Sequence, residues 1–329
     1  VTDAEPAEFA LIARHFRPLA AATPGALALS DDAALLDPPA GRTLVLAADA
    51  MVAGVHFLPD DPPATIGRKL LRVNLSDLAA MGATPLGYLM TTALAKETGD
   101  AWLAAFSAGL AEDQALFGCG LLGGDTVSTT GPVTLSLTII GSVAEGGALR
   151  RNGAREGDAL WVSGTIGDGA LGLLALTGQL PAISDAARNA LAARYRLPQP
   201  RLGLGAALAG IATACMDVSD GLVQDVGHLA RAAGLAAAIE AVDVPLSAAA
   251  REAVAADASL LARCLSGGDD YELVFAAPPE KADAVIAAAE RARTAVRRIG
   301  RFTAGQGVQV TGPDGAAMPF ARGGWSHVA

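Results

Sequence analysis

The sequence predicts a two-domain protein of the α/β (α+β) class. Three observations carry that expectation. At roughly 150 residues per domain, 329 residues correspond to about two cores. Apolar strand-like runs alternate with stretches of helical period in both halves. Between the halves lies a charged, glycine-rich stretch, Glu145-Gly-Gly-Ala-Leu-Arg-Arg-Asn-Gly-Ala-Arg-Glu-Gly-Asp158. It marks a boundary, giving an N-terminal domain over 1–147 and a C-terminal domain over 148–329.

The elements follow in order. Phe9, Ile12 and Phe16 recur at helical spacing behind Pro6, an amphipathic opening helix. Thr43-Leu-Val-Leu-Ala-Ala-Asp49 is a buried-strand candidate that ends in an acid. Helical period returns over 63–81 and again over 100–117. Gly120-Leu-Leu-Gly-Gly-Asp125 reads as a short strand running into a turn. Val133, Leu135, Leu137 and Ile139 alternate with Thr134, Ser136 and Thr138, the pattern of a half-buried strand. Beyond the boundary, Ala159-Leu-Trp-Val-Ser163 is a strand, with helices near 167–177, 185–195 and 200–212. Ala212-Thr-Ala-Cys-Met-Asp217 is a strand entering a turn, and Leu222, Val226 and Leu229 mark the helix after it.

Composition narrows the function. Apolar residues are 52% and charged residues 18%, a globular balance. Aromatics are only 4%, so the core is built from Ala, Leu, Val and Ile. The formal charge of −10, without a basic run, speaks against nucleic-acid or anionic-membrane binding. Cys119, Cys215 and Cys264 are odd in number and lack a CxxC spacing, which speaks against a disulfide framework or a zinc site. Val1-Thr-Asp-Ala-Glu-Pro6 lacks the basic-then-apolar pattern of a signal peptide. The longest uncharged stretch, 126–144, alternates like a strand rather than a membrane span. These features predict a soluble, cytoplasmic protein.

Acids stand at the ends of apolar runs: Asp31-Asp32, Asp49, Gly123-Gly-Asp125, Asp217-Val-Ser-Asp220 and Gly267-Gly-Asp-Asp270. Each alone is an ordinary turn or helix cap. Together they point to a ligand outside the carboxyl ends of strands. Asp77 adds to this. If 66–81 is one helix, Ile66, Leu70, Val73, Asp77 and Met81 fall within about 80° of one another, which sets Asp77 in the apolar stripe. A buried carboxylate needs compensation, and a divalent cation supplies it. The other reading breaks the helix at Asn74-Leu-Ser76 and makes Asn74 or Ser76 a cap. An all-Asp oxygen shell suits Mg²⁺, and several such acids around a cleft suggest phosphoryl transfer. Ser219 is expected at the N-terminus of a helix over 220–231, a place suited to anions.

Familiar nucleotide motifs are missing. There is no GxxxxGK[ST]. Gly118-Cys-Gly120-Leu-Leu-Gly123 matches GxGxxG but follows a helix and precedes a strand, the reverse of the dinucleotide fingerprint.

Seven stretches taken together resemble the thiamine-monophosphate kinase family, of the superfamily that includes aminoimidazole ribonucleotide synthetase and selenophosphate synthetase. They are Phe9-Ala-Leu-Ile-Ala-Arg14, Asp31-Asp-Ala-Ala-Leu-Leu36, Asp49-Ala-Met-Val-Ala-Gly-Val-His56, Val73-Asn-Leu-Ser-Asp-Leu-Ala-Ala-Met-Gly-Ala83, Gly123-Gly-Asp-Thr126, Asp217-Val-Ser-Asp-Gly-Leu222 and Ser266-Gly-Gly-Asp-Asp-Tyr-Glu-Leu273. The resemblance spans nearly the whole chain. It implies an aminoimidazole ribonucleotide synthetase-like fold, with an N-terminal mixed-sheet domain and a C-terminal α/β domain. It implies direct transfer of the ATP γ-phosphoryl to thiamine monophosphate, several Mg²⁺ ions assisted by K⁺, and a homodimer formed through the N-terminal domains. Position by position, it implies that Asp32, Asp49, Asp77, Asp125 and Asp217 bind metal, with Asp220 in an outer position. Gly124, Asp125, Arg151 and Ser219 would contact ATP, and His56, Asp269 and Trp325 would line the acceptor pocket. The family usually carries Ser or Thr before the acid of its second motif. Here Ala47 and Ala48 stand there, so Ala48 offers a metal only its backbone carbonyl.

Two other readings stay open at this point. One is a superfamily relative that uses the same ATP machinery on another small acceptor. The other is a nucleotide-binding regulator without catalysis.

Overall fold

Helical period at the N-terminus becomes two short helices, α1 (Ala7–Leu11) and α2 (Arg17–Ala20), joined by a wider π-type turn over Ile12–Phe16. The elements that follow are β1 (Arg42–Val52), α3 (Pro63–Ala80), β2 (Thr84–Ala95), α4 (Asp100–Phe117), β3 (Gly120–Thr129) and β4 (Thr134–Ala144). The computed structural model describes residues 7–320 together with 323 and 324. The chain divides into two units, Val1–Leu78 with Thr84–Gly146, and Ala79–Ala83 with Gly147–Ala329.

The first unit is built on a four-stranded sheet of order β1-β4-β2-β3. β4 runs antiparallel to both neighbours, and β2 and β3 are parallel. The alternation along β4 does what it predicts: Leu135, Leu137 and Ile139 are fully buried, while Ser136 and Thr138 are not. Helix α3 lies on the buried face, with the Leu78 side chain against Gly141. It begins at Pro63, whose missing N–H costs nothing in a first turn. It runs unbroken through Asn74 and Ser76, both fully buried, so neither residue caps a second helix. Helices α3 and α4 pack closely through glycine: a Cβ on Gly109 would stand 2.1 Å from the Ala64 carbonyl oxygen. The same helix pair buries an ion pair, with Arg72 Nε and Nη2 donating to Asp113 at 2.5 and 3.0 Å. Removing Asp113 would strand a buried cation, at a cost of about 3–5 kcal/mol. Helix α4 ends where Gly118 turns left-handed at φ 64°.

The second unit holds β5 (Ala159–Ser163), α5 (Asp168–Leu176), α6 (Asp185–Arg196), α7 (Leu202–Ala207), β6 (Ala214–Asp217), α8 (Leu222–Ala233), β7 (Ala236–Glu240), α9 (Ala248–Ala256), α10 (Leu260–Ser266), β8 (Leu273–Ala277), α11 (Ala282–Arg291), β9 (Val296–Thr303) and β10 (Gly307–Thr311). Its sheet order is β10-β7-β9-β5-β8-β6. Both faces are covered, so alternate residues of one strand enter different cores. Leu160 and Val162 join Met216, Val274 and Val226, whereas Trp161 joins Cys215, Phe275 and Leu204. This is why the central strands read as continuous apolar runs. Helix α7 ends at Ala207, short of the stretch to 212 that its sequence suggests, because Gly210 turns left-handed at φ 74°. Among the described residues, no helix is long and apolar enough to cross a membrane.

Candidate active site

In the first unit, a cavity of about 580 Å³ brings together acids far apart in sequence. Asp31 and Asp32 reach it from the segment before β1, and Gly123, Gly124, Asp125 and Thr126 from β3. Phe9, Ile12 and Phe16 supply an apolar wall. The Gly-Gly-Asp stretch is not the turn its composition suggests. It is strand, paired in parallel with β2 so that Met90 faces Gly124 and Thr91 faces Asp125. The reason is steric: a Cβ on Gly124 would stand 1.7 Å from the Met90 carbonyl oxygen, so glycine at 124 allows strand pairing rather than chain reversal. The register slips between Tyr88 and Leu89, a bulge just before the motif, where such irregularities re-aim side chains.

Asp49 lies on the covered face of the same sheet, against α3, the helix that carries Asp77. The Asp49 N–H donates to Asn74 Oδ1 at 3.1 Å, and Asn74 Nδ2 donates to the Leu70 carbonyl at 2.9 Å. Asp77 lies one turn beyond Asn74 on α3, half-buried beside a fully buried neighbour, Leu78. The stripe argument sets Asp77 in the apolar stripe; its side chain is half-buried, at the margin of the core rather than within it. Strands β1 and β3 are the two sheet edges, three spacings or about 14 Å apart. Asp49 shares its row with buried Leu137, and Asp125 shares the next row with exposed Thr91. One chain thus does not gather Asp49 and Asp125 into one cluster. Ala48 is exposed on β1 opposite Thr138. His56 is half-buried, and its Nδ1 accepts the Val52 N–H at 3.0 Å, which places the ring proton of the neutral form on Nε2.

In the second unit, β6 delivers Asp217, 4% exposed, into a turn that carries Ser219 and Asp220. Helix α8 begins at Leu222, later than expected, so Ser219 stands outside its first turn. The N–H groups of Asp220 and Gly221 are already taken: both donate to Asp225 Oδ2 at 3.1 Å. Asp225 is the residue that sequence reading missed. Burial, with Asp217 and Asp220 close by, pushes its carboxyl up to about 8. The signal was available, because Asp225 lies in the stripe of Leu222, Val226 and Leu229 as Asp77 does in its own. Gln224 Nε2 donates to Asp220 Oδ2 at 3.2 Å. Arg151 is exposed in a tight turn, and burial together with Arg231 and Arg151 holds His228 below its ordinary value. Asp269 joins the cluster through its backbone, its N–H donating to the Ser219 carbonyl at 2.9 Å. Trp325 lies outside the described residues.

The donor set fits Mg²⁺ in kind. It is all carboxylate oxygen, the hard donor that Mg²⁺ prefers alongside phosphate and water. Asp217, Asp220 and Asp225 stand close together, and burial first, then the two neighbouring carboxylates, raise the Asp225 carboxyl. Among the described residues, no three His, Cys, Asp or Glu side chains form a group that could hold a metal by themselves.

The chain is similar to known proteins along nearly its whole length. The family "AIR synthase related protein, N-terminal domain" matches residues 30–143, and "AIR synthase related protein, C-terminal domain" matches residues 155–313. The chain is 46% identical to a thiamine-monophosphate kinase of Caulobacter vibrioides, over 98% of this chain and 92% of that one. It is 40% identical to that of Salmonella typhimurium, over 98% of both chains. Among solved structures, thiamine-monophosphate kinase from Stenotrophomonas maltophilia superposes with a TM-score of 0.80 at 43% identity, covering 88% of this chain and 91% of that one. AaThiL complexed with AMPPCP and TMP superposes with a TM-score of 0.76 at 30% identity, covering 90% and 91%. Hydrogenase maturation protein HypE in complex with ATP shares the fold, with a TM-score of 0.79 at 20% identity. With both domains of the fold matched and 46% identity along almost its entire length, the chain belongs to the thiamine-monophosphate kinase family.

Proposed function

We propose that this chain transfers the γ-phosphoryl group of ATP directly to thiamine monophosphate, giving thiamine diphosphate and ADP. The observation that carries the reading is the cavity of the first unit, where Asp31, Asp32 and Asp125 meet the backbone of Gly123 and Gly124. Carboxylates beside a close-approach glycine backbone are what a metal-bound polyphosphate requires. Asp32, Asp49, Asp77, Asp125 and Asp217 would hold Mg²⁺, with Asp220 in an outer position and the Ala48 carbonyl as a further donor. Bound Mg²⁺ supplies neutralisation of the β- and γ-phosphate charge. Several ions, with K⁺ assisting, belong to this reading.

The chain's own groups position the reactants. Gly124, Arg151 and Ser219 hold ATP, while His56, Asp269 and Trp325 hold the acceptor. The neutral tautomer of His56 offers an Nε2–H donor suited to a phosphate oxygen. The attacking acceptor phosphate is already anionic near neutral pH, so no side chain has to remove a proton from it. We assign ATP–Mg²⁺ binding and dimerisation to residues 1–147, and the remaining nucleotide and acceptor residues to 148–329.

The homodimer has its own support. On the open face of the first sheet three large apolar side chains are exposed, Leu46 at 61%, Val127 at 44% and Leu89 at 39%. A second copy of this chain would cover them, alongside Asp125 on the same face. A cytoplasmic setting agrees with three free, buried cysteines, whose thiols burial pushes up, Cys119 and Cys264 to about 12.

The test is ADP release from MgATP with and without thiamine monophosphate. Release that depends on this acceptor is expected. Release with other acceptors only would point to the superfamily-relative reading, and ATP binding without release to the regulator.

A further inference from the structure

The turn 267–272 joins α10 to β8 and carries Asp269, and it is held in an unusual way. Asp269 and Tyr271 adopt left-handed backbone conformations, φ 72° and 52°, which residues with a Cβ rarely do. Both are half-buried. The residues between and after them, Asp270 and Glu272, are fully buried.

Asp270 accepts the N–H groups of Gly167 and Gly169 at 2.7 and 2.9 Å, at the start of α5. Glu272 accepts Ser163 Oγ at 2.6 Å, Arg194 Nη2 at 3.1 Å, and Arg201 Nε and Nη2 at 2.6 and 2.5 Å. Arg194 also donates to the Asp270 carbonyl at 3.2 Å. On the other side, the Asp269 and Tyr271 N–H groups donate to the Ser219 and Val218 carbonyls at 2.9 and 2.8 Å, and the Val218 N–H donates to the Glu272 carbonyl at 2.7 Å. Glycine removes all slack. A Cβ on Gly169 would stand 2.3 Å from the Asp269 carbonyl oxygen, and one on Gly268 would stand 2.3 Å from that of Ser219.

Stability alone is a weak reason for this arrangement. A buried ionic network recovers its desolvation cost only in part, and well-packed apolar side chains serve a core as well. Strained backbone held by an over-determined surround is the mark of a site that must keep one geometry.

We propose that Asp270 and Glu272 are positioning residues for the acceptor. Anchored to the α5 N-terminus and to Arg194 and Arg201, they lock the strained turn so that Asp269 is held against Ser219. Neither touches the reacting atoms. The inference rests on Asp269 being an acceptor contact.

The test is steady-state ADP release by the full chain, with thiamine monophosphate and ATP varied separately. Asp270→Asn and Glu272→Gln are each expected to raise the KM for thiamine monophosphate by about tenfold or more while moving the KM for ATP by less than about twofold. A merely structural role would lower the amount of active enzyme, and so kcat, with both KM values unchanged. Asp269→Asn separates this inference from the reading beneath it. If Asp269→Asn raises the acceptor KM and the folded Asp270 and Glu272 variants do not, the positioning role is wrong and the Asp269 contact stands. If Asp269→Asn leaves it unchanged, the contact fails and the positioning role fails with it. Should either buried variant not fold, Arg201→Lys and Ser163→Ala weaken the same network more gently. They carry the same expectation, and an unchanged acceptor KM in both overturns the proposal.

Discussion

The tripeptide Gly-Gly-Asp occurs twice among the acids at issue, and the two copies fold differently. At 123–125 it is strand, paired along β2, with Asp125 exposed at the cavity. At 267–269 it is a turn, with Asp269 left-handed and half-buried. Glycine serves both, for one reason. In each copy its hydrogen replaces a Cβ that would strike another segment's carbonyl oxygen, that of Met90 for Gly124 and that of Ser219 for Gly268. What differs is the partner. A parallel neighbouring strand extends the first copy, whereas a loop bound from above and a buried carboxylate network below fold the second. A short motif therefore reports close backbone approach, and not the conformation in which the approach is made.

This contrast leads to experiments. Asp125 is exposed, and its Oδ1 accepts the N–H of its own neighbour Thr126 at 2.9 Å, a bond the amide oxygen of Asn keeps, so Asp125→Asn is expected to lower turnover by roughly two orders of magnitude or more with the melting temperature little changed. Asp49→Asn is expected to behave alike. Near-normal turnover in both would remove the metal role from these carboxylates. Next, Gly124→Ala and Gly268→Ala each press a methyl group onto backbone that cannot yield, and each should cost about 1–3 kcal/mol in denaturant unfolding. An unchanged midpoint for either would show that the neighbouring segment gives way, and the shared role of glycine would fall. A smaller effect concerns Asp225. Its carboxyl is raised in the folded chain, so its contribution to stability is complete below about pH 4 and is lost as the pH climbs toward 8. Metal-free Asp225→Asn should therefore melt a few degrees above the parent at pH 8, with the gap closing toward pH 4 and narrowing when Mg²⁺ is added. A melting difference independent of pH and of Mg²⁺ would mean that Asp225 is only a cap for α8.

Local signals were read most successfully where local forces dominate. The alternation of 133–139 and the helical period of 100–117 appear as β4 and α4 because side-chain periodicity decides which face meets the core. The stripe argument located Asp77, and the same argument applied to 222–229 would have located Asp225. The elements beyond α8 escaped the reading: β7 (Ala236–Glu240) is mostly alanine, and β9 (Val296–Thr303) carries three arginines, so neither shows a clear alternation. The network of Ser163, Arg194, Arg201 and Glu272 was not legible as a set, since its members come from four separate stretches of chain and each alone resembles an ordinary polar residue.

From residues alone came the two-part α/β architecture, the inventory of acids and the family they resemble, because these depend on periodicity and on ordered motifs. Three-dimensional packing settled the rest: which acids share a hollow, which glycine turns and which extends, and which carboxylates are buried in hydrogen-bonded networks. Those outcomes hinge on desolvation and on contacts between segments distant in sequence, and neither is encoded within any single stretch.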